Sequence, residues 1–406
     1  MSAPAAQAAR RQGLLWGLVG AVVWAPALTL ALRESDRLFD HAVFGADFAS
    51  FHAASRLTLG GAPAQVYDVA RHWAAQTEAM TTSGYAYFLY PPLYLLLCWP
   101  LGLAPFFVAL ASWLSLGFAA CALALRRIAP PQGPLAGLPP LIAAPAAMMN
   151  AAHGQNAFLT TALMAAGGLA LARRPVLAGL CFGALAFKPQ LGLLLPALLL
   201  ASGRLRAFFA AAGATAAFAL AATAAFGVEI WRAWLDALPL ARRVLEDGHV
   251  EPEKLQSVFA MLRLAGAPLD LAYAGQAGAA LIVCATVVVA ARRAQPLAGV
   301  ALVAAGAALT TPFVLRYDLM ILLIPLAWLA RDGARAPLRP WELAAAGLAY
   351  LAPLVPLDLA AGTGALVAPP ILALFFAMIA RRVLANEKGE PEGSPQSPAP
   401  CAAITR

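Results

Sequence analysis

"GQNAFLTTALMAAGGLALARRPVLAGLCFGALAFKPQLGLLLP", residues 154–196, decides what kind of chain this is. Residues 154–172 form an apolar run long enough to cross a bilayer as a helix. The run stops on Arg173 and Arg174 and restarts at once. The next two runs, 175–187 and 190–202, flank "KPQ" and have about 13 residues each, or about 20 Å as helix. Either the bilayer thins around them or they enter it partway from one side.

The same grammar extends in both directions. Apolar runs at 13–32, 105–125, 134–150, 205–227, 270–290, 297–313, 316–330, 341–357 and 364–380 join the three above, which predicts an all-α polytopic membrane protein with about twelve transmembrane helices. The 406 residues are 62% hydrophobic and only 12% charged, against roughly a quarter charged in a soluble domain. The net charge of +8 comes as doublets at the ends of apolar runs, so it marks membrane topology and not a nucleic-acid surface. Cysteines 98, 121, 181, 284 and 401 have no ligand-like spacing to each other or to histidine.

Arg10 and Arg11 precede the first run. Its length is a full span, and "LTLALRESD" is a poor small-x-small cleavage site, so it reads as a retained helix. Residues 1–384 then form one membrane domain, and 385–406, rich in Pro, Ser and charge, a disordered cytoplasmic tail. With cytoplasmic termini, Arg126/Arg127, Arg173/Arg174, Arg204/Arg206, Arg292/Arg293, Arg331/Arg335/Arg339 and Arg381/Arg382 all face the cytoplasm, as positive-inside bias requires. That topology turns 91–103 into a re-entrant or interfacial segment. It also leaves 33–103 as a large first outer loop.

The polar residues that interrupt apolar sequence then collect at the outer face: Asp47, His52, Tyr90, "HGQN" with His153, Gln155 and Asn156, Lys188, Gln190, Gln256, and "RYD" with Arg316, Tyr317 and Asp318. Asp47 precedes Phe48, Phe51, Ala54 and Leu57, whose spacing predicts a short amphipathic helix on the membrane surface. Its carboxylate is either the N-cap of that helix or a catalytic group. Lys188 either snorkels to the interface or meets an anion. Arg316 and Asp318 pair at a helix end, or the guanidinium takes a phosphate while paired. "HGQN" reads as an inter-helix turn or as part of a site, and "GGAPAQVYD" as a loop corner. No nucleotide-binding motif appears, and no cytoplasmic loop is long enough for a nucleotide-binding domain. Any activated donor therefore has to arrive through the membrane.

Taken together, "DFASFHAASRLTLGGAPAQVYD", "FLYPP", the 154–196 stretch and "TPFVLRYDL" resemble glycosyltransferase family 87, the polyprenol-phosphate-mannose-dependent mannosyltransferases with the GT-C membrane fold, from about residue 40 to 330. The resemblance implies sugar transfer from a lipid-phosphate donor to a lipid or glycan acceptor at the non-cytoplasmic face of a bacterial-type inner membrane. By position in the motif, Asp47 corresponds to the acidic residue of the first outer loop that acts as general base. Lys188 and Arg316 become candidates for the donor phosphate, on physical grounds. His52, Tyr90, His153, Gln155, Asn156, Gln190, Tyr317 and Asp318 become candidates to line the substrate site. No carboxylate cluster has metal-ligand spacing, so neither metal nor other cofactor is expected. A transporter or flippase of an anionic or lipid-linked substrate is the alternative, although "KPQ" and "RYD" are dissimilar and no internal repeat supports it.

Overall fold

A computed structural model describes residues 44–80, 84–129, 138–333, 336–354 and 366–385, with isolated positions between 18 and 25. The run at 13–32 lies mostly outside the described residues, as do 33–43, the loop at 358–363, Cys401 and all but the first residue of the tail. The described residues are helical and contain no strand, only an isolated antiparallel bridge between Leu255 and Leu315.

The labelled helices are α1 (Ala46–Leu59), α2 (Val69–Ala79), α3 (Phe106–Ile128), α4 (Pro145–His153), α5 (Ala157–Ala170), α6 (Pro175–Ala184), α7 (Leu195–Ala201), α8 (Leu205–Phe226), α9 (Glu229–Glu246), α10 (Val258–Leu264), α11 (Leu269–Ala291), α12 (Pro296–Ala307), α13 (Leu323–Gly333), α14 (Pro340–Leu351) and α15 (Ala368–Ala385). Of these, α3, α8, α11 and α15 are long and apolar enough to cross a membrane. The others are shorter for identifiable reasons. The run at 134–150 breaks before Pro145, which opens α4, because proline clashes with the preceding turn. The run at 316–330 begins as a 3-10 helix, Arg316–Leu322, before α13. Segment 91–103 is a chain of short turns, Pro92–Tyr94, Leu95–Cys98 and Trp99–Leu103, interrupted by its prolines.

Small residues set the closest packing. Gly179 and Gly183 on α6 stand one turn apart, and a Cβ at either would lie 2.5 Å from a backbone oxygen of α8, Ala207 or Ala211 respectively. Only glycine lets the two backbones approach so closely, as small-xxx-small spacing does between membrane helices. One apolar core joins α3, α5, α12, α13 and α15. A second gathers α1, Phe88, Tyr94, Phe106 and Phe187.

That second core changes the reading of α1. Phe48 through Ser55 are all buried, so the helix is wrapped by protein and does not lie as an amphipathic helix on a surface. Ser55 shows how: its hydroxyl donates to the Trp99 carbonyl and accepts from the Gly102 N–H at 2.7 Å, docking α1 on the 99–103 turn.

Candidate active site

Two glycines place the carboxylate. Gly45 caps α1 at φ 83°, and Gly154 ends α4 at φ 69°, a region of backbone space that L side chains rarely adopt. They also touch. A Cβ on Gly154 would lie 2.6 Å from Phe48 Cβ and 3.4 Å from Gly45 Cα. The Gly45 N–H donates to the Ala152 carbonyl at 2.7 Å, fastening the start of α1 to the end of α4. The "HGQN" turn thereby delivers His153 and Gln155 to Asp47.

Asp47 is the second residue of α1 and not its cap: Gly45 holds the cap position, with no side-chain cap bond. Gln155 Nε2 donates to Asp47 Oδ2 at 3.0 Å, His153 Nδ1 stands 3.7 Å from Oδ1, and the Tyr317 hydroxyl completes the set. The Asp47 side chain keeps 26% of its surface and that of His153 47%, so this is the open end of the cluster. The His153 ring also lies 5.7 Å from the Tyr317 ring, centroid to centroid. Burial pushes the Asp47 carboxyl up, but His153, Gln155 and Tyr317 outweigh it and hold the group below the ordinary 3.8. For His153, burial favours the neutral ring, yet Asp47 wins and raises it above the ordinary 6.5.

Behind this pair the polar residues continue inward. Tyr90 donates to Gln155 Oε1 at 3.1 Å, and Asn156 Nδ2 donates to the hydroxyls of Tyr90 at 3.0 Å and Tyr94 at 3.1 Å. Lys188 Nζ donates to Asn156 Oδ1 at 3.1 Å and to Asp318 Oδ1 at 2.5 Å. The second Asp318 oxygen accepts the Leu315 N–H at 3.0 Å. "GGAPAQVYD" supports this wall and is more than a corner: Tyr67 donates to the Tyr90 carbonyl at 2.8 Å, while Asp68 caps α2 through the Arg71 N–H.

The structure thus joins Asp47, Tyr90, His153, Gln155, Asn156, Lys188, Tyr317 and Asp318 in one network, and it places Lys188, Arg316, His52 and Gln190 otherwise than expected. Lys188 is 4% exposed and already engaged by Asp318 and Asn156, so its charge lies inside the network. Asp318 takes Lys188 as its cation; Arg316 sits half-buried at the start of its turn, next to Tyr317. His52 is buried, with Nε2 3.2 Å from the Ala104 carbonyl and its ring against Phe106, and Gln190 is not joined to the network among the described contacts. Tyr94, fully buried, is the partner that the sequence reading missed. Its signal is its place four residues after Tyr90, on the proline-led turn that carries both hydroxyls to Asn156.

Apolar helices of spanning length, together with a partly open carboxylate backed by a buried polar network, make this an integral membrane protein with a built site. The sequence model of glycosyltransferase family 87 matches residues 88–315, more than half of the chain, and the chain belongs to that family of glycosyltransferases. The matched region holds Tyr90, His153, Gln155, Asn156 and Lys188; Asp47 precedes it and Tyr317 and Asp318 follow it. No curated protein and no solved structure matches.

Proposed function

We propose that the chain is an inverting hexosyltransferase that moves a sugar, mannose in the first instance, from a polyprenyl phosphate to a lipid or glycan acceptor. The observation that carries this reading is the Asp47 carboxylate: ionised, partly open, and oriented by Gln155, His153 and Tyr317. The acceptor hydroxyl gives its proton to Asp47 as its oxygen bonds to the anomeric carbon. The bond from that carbon to the phosphate oxygen breaks with inversion, and its electron pair leaves on the lipid phosphate. The His153 imidazolium and the Arg316 guanidinium are the cations assigned to the developing phosphate charge. Neither metal nor nucleotide enters the scheme.

Purified protein given labelled polyprenyl-phosphate-mannose and a membrane lipid extract is expected to release polyprenyl phosphate and label a lipid or glycan. If the donor stays intact with every acceptor fraction, or is used only as the nucleotide sugar, the proposal fails.

The proposed setting is a GT-C-type arrangement of about twelve crossings, termini in the cytoplasm and Asp47 at the outer face. Gln65 and Ala172 are both exposed and lie on opposite sides in that topology. In a cysteine-free background, cysteine at position 65 is expected to react with an impermeant thiol reagent in intact cells and cysteine at 172 only after lysis. The reverse pattern would place the site in the cytoplasm.

A further inference from the structure

Between Asp318 and Asp47 runs an unbroken chain of side-chain hydrogen bonds: Lys188, Asn156, Tyr90, Gln155. Its direction follows from chemistry. An ammonium has three donors and no acceptor, so Asn156 must turn its oxygen to Lys188 and its NH2 toward the tyrosines. The Tyr90 hydroxyl, accepting from that NH2, has one proton left and gives it to Gln155, whose facing atom must then be oxygen. The Asn156 backbone N–H, 3.2 Å from the same Oε1, agrees with that choice. Gln155 is therefore left with its NH2 toward Asp47. Reversed anywhere along its length, the chain would present a carbonyl oxygen to a carboxylate.

We infer that Lys188, locked to Asp318, is a positioning residue for Asp47: its buried charge sets the polarity of the chain, so that the base always receives a donor on Oδ2 and keeps Oδ1 toward the opening. This inference rests on the proposed role of Asp47. It gives Lys188 work inside the protein and none on the lipid phosphate. The groups that face Asp47 directly are His153 from α4, Gln155 from the following turn and Tyr317 from the 316–322 turn. Tyr90 and Lys188 act from behind, and Lys254 bears on His153.

The test compares kcat, donor KM and the acid limb of the pH–rate profile for the full chain, Lys188→Met, the double variant Lys188→Met/Asp318→Asn, and Asp47→Asn. The double variant matters because Lys188→Met alone leaves a buried carboxylate unpaired, whereas the pair removed together leaves no orphan charge. Both are expected to lose roughly ten- to a hundredfold in kcat, the scale of one charge-assisted hydrogen bond. Donor KM should hold, and the acid limb should move up in pH because the ionised form of Asp47 has lost a reliable donor. An unmoved acid limb overturns the inference whatever happens to kcat. A raised donor KM also overturns it, since that result puts Lys188 on the phosphate. If Asp47→Asn keeps the native rate, the reading of the base fails instead, and the two failures are separable in one data set.

Discussion

Asp47→Asn is expected to lower sugar transfer by at least about 100-fold, the usual scale for a lost general base. Folding should stay close to native. An asparagine still fits the second position of α1, can keep its carbonyl oxygen toward Gln155 Nε2, and has no cap bond to lose, because Gly45 holds the cap. The measurement is turnover of labelled donor alongside the thermal transition in detergent. A variant with near-native turnover would remove Asp47 from the chemistry.

The pH profile gives the same claim a second edge. Asp47 titrates below 3.8, so its carboxylate is present above that value and the rate falls only as pH drops through the depressed pKa. His153 titrates above 6.5, so its positive charge is present below its raised pKa and lost as pH climbs through it. Activity should therefore be broad across mildly acid pH and decline on the alkaline side. His153→Gln is expected to abolish the alkaline decline and lift the acid limb, since burial then pushes the Asp47 carboxyl up with less to oppose it.

How much of this could be read beforehand depends on the reach of each signal. Apolar length fixes where helices run: the expected 105–125, 205–227 and 270–290 became Phe106–Ile128, Leu205–Phe226 and Leu269–Ala291. Length and composition act locally, and the string records both. The residues of the site were also visible as polar interruptions of greasy sequence, which is how Asp47, "HGQN", Lys188 and "RYD" stood out. Their pairing was not. Lys188 meets Asp318 across 130 positions, while Arg316, two residues from Asp318, seemed the natural partner. Partner choice inside a bundle is decided by which turns converge: the contact of Gly45 with Gly154 brings Asp47 to Gln155, and the turns that carry Asn156 and Asp318 meet on Lys188. The amphipathic reading of α1 failed for a related reason: the Phe48 and Phe51 spacing is real and meets Phe106, Tyr90 and Tyr94, but the polar side is covered as well, with His72 against the Ser50 carbonyl and the 99–103 turn against Ser55.

The arginine doublets show the same limit, and they lead to the other large effect. Arg381 and Arg382 read alike as a charge pair at a helix end. Arg381 keeps 43% of its side chain exposed, leans over the Trp341 ring and gives Glu342 a single Nη1 bond at 3.0 Å. Arg382 is buried, and its five N–H groups are all taken: Nε and one Nη2 bond by Glu342 at 3.0 and 2.9 Å, one Nη1 bond by Asp332 at 2.6 Å, and the rest by the carbonyls of Ala336 and Pro337 at 3.2 Å. Glu342 is itself 1% exposed and also accepts from the Arg339 N–H at the start of α14. One guanidinium thus ties the ends of α13, α14 and α15 together. Arg382→Met leaves two buried carboxylates without their main cation and is expected to destabilise the protein by about 3 to 5 kcal/mol, whereas Arg381→Ala should cost about 1 kcal/mol or less. Lysine at 382 should rescue little, because three donors on a point charge cannot replace a planar fork of five. Neutralising the carboxylates as well, in Arg382→Met/Glu342→Gln/Asp332→Asn, should recover much of the loss, since the damage comes from uncompensated charge. Thermal unfolding of the four variants in one detergent decides it: equal losses for Arg381→Ala and Arg382→Met would show that the cluster is an ordinary surface charge pair and not the tie between these helices.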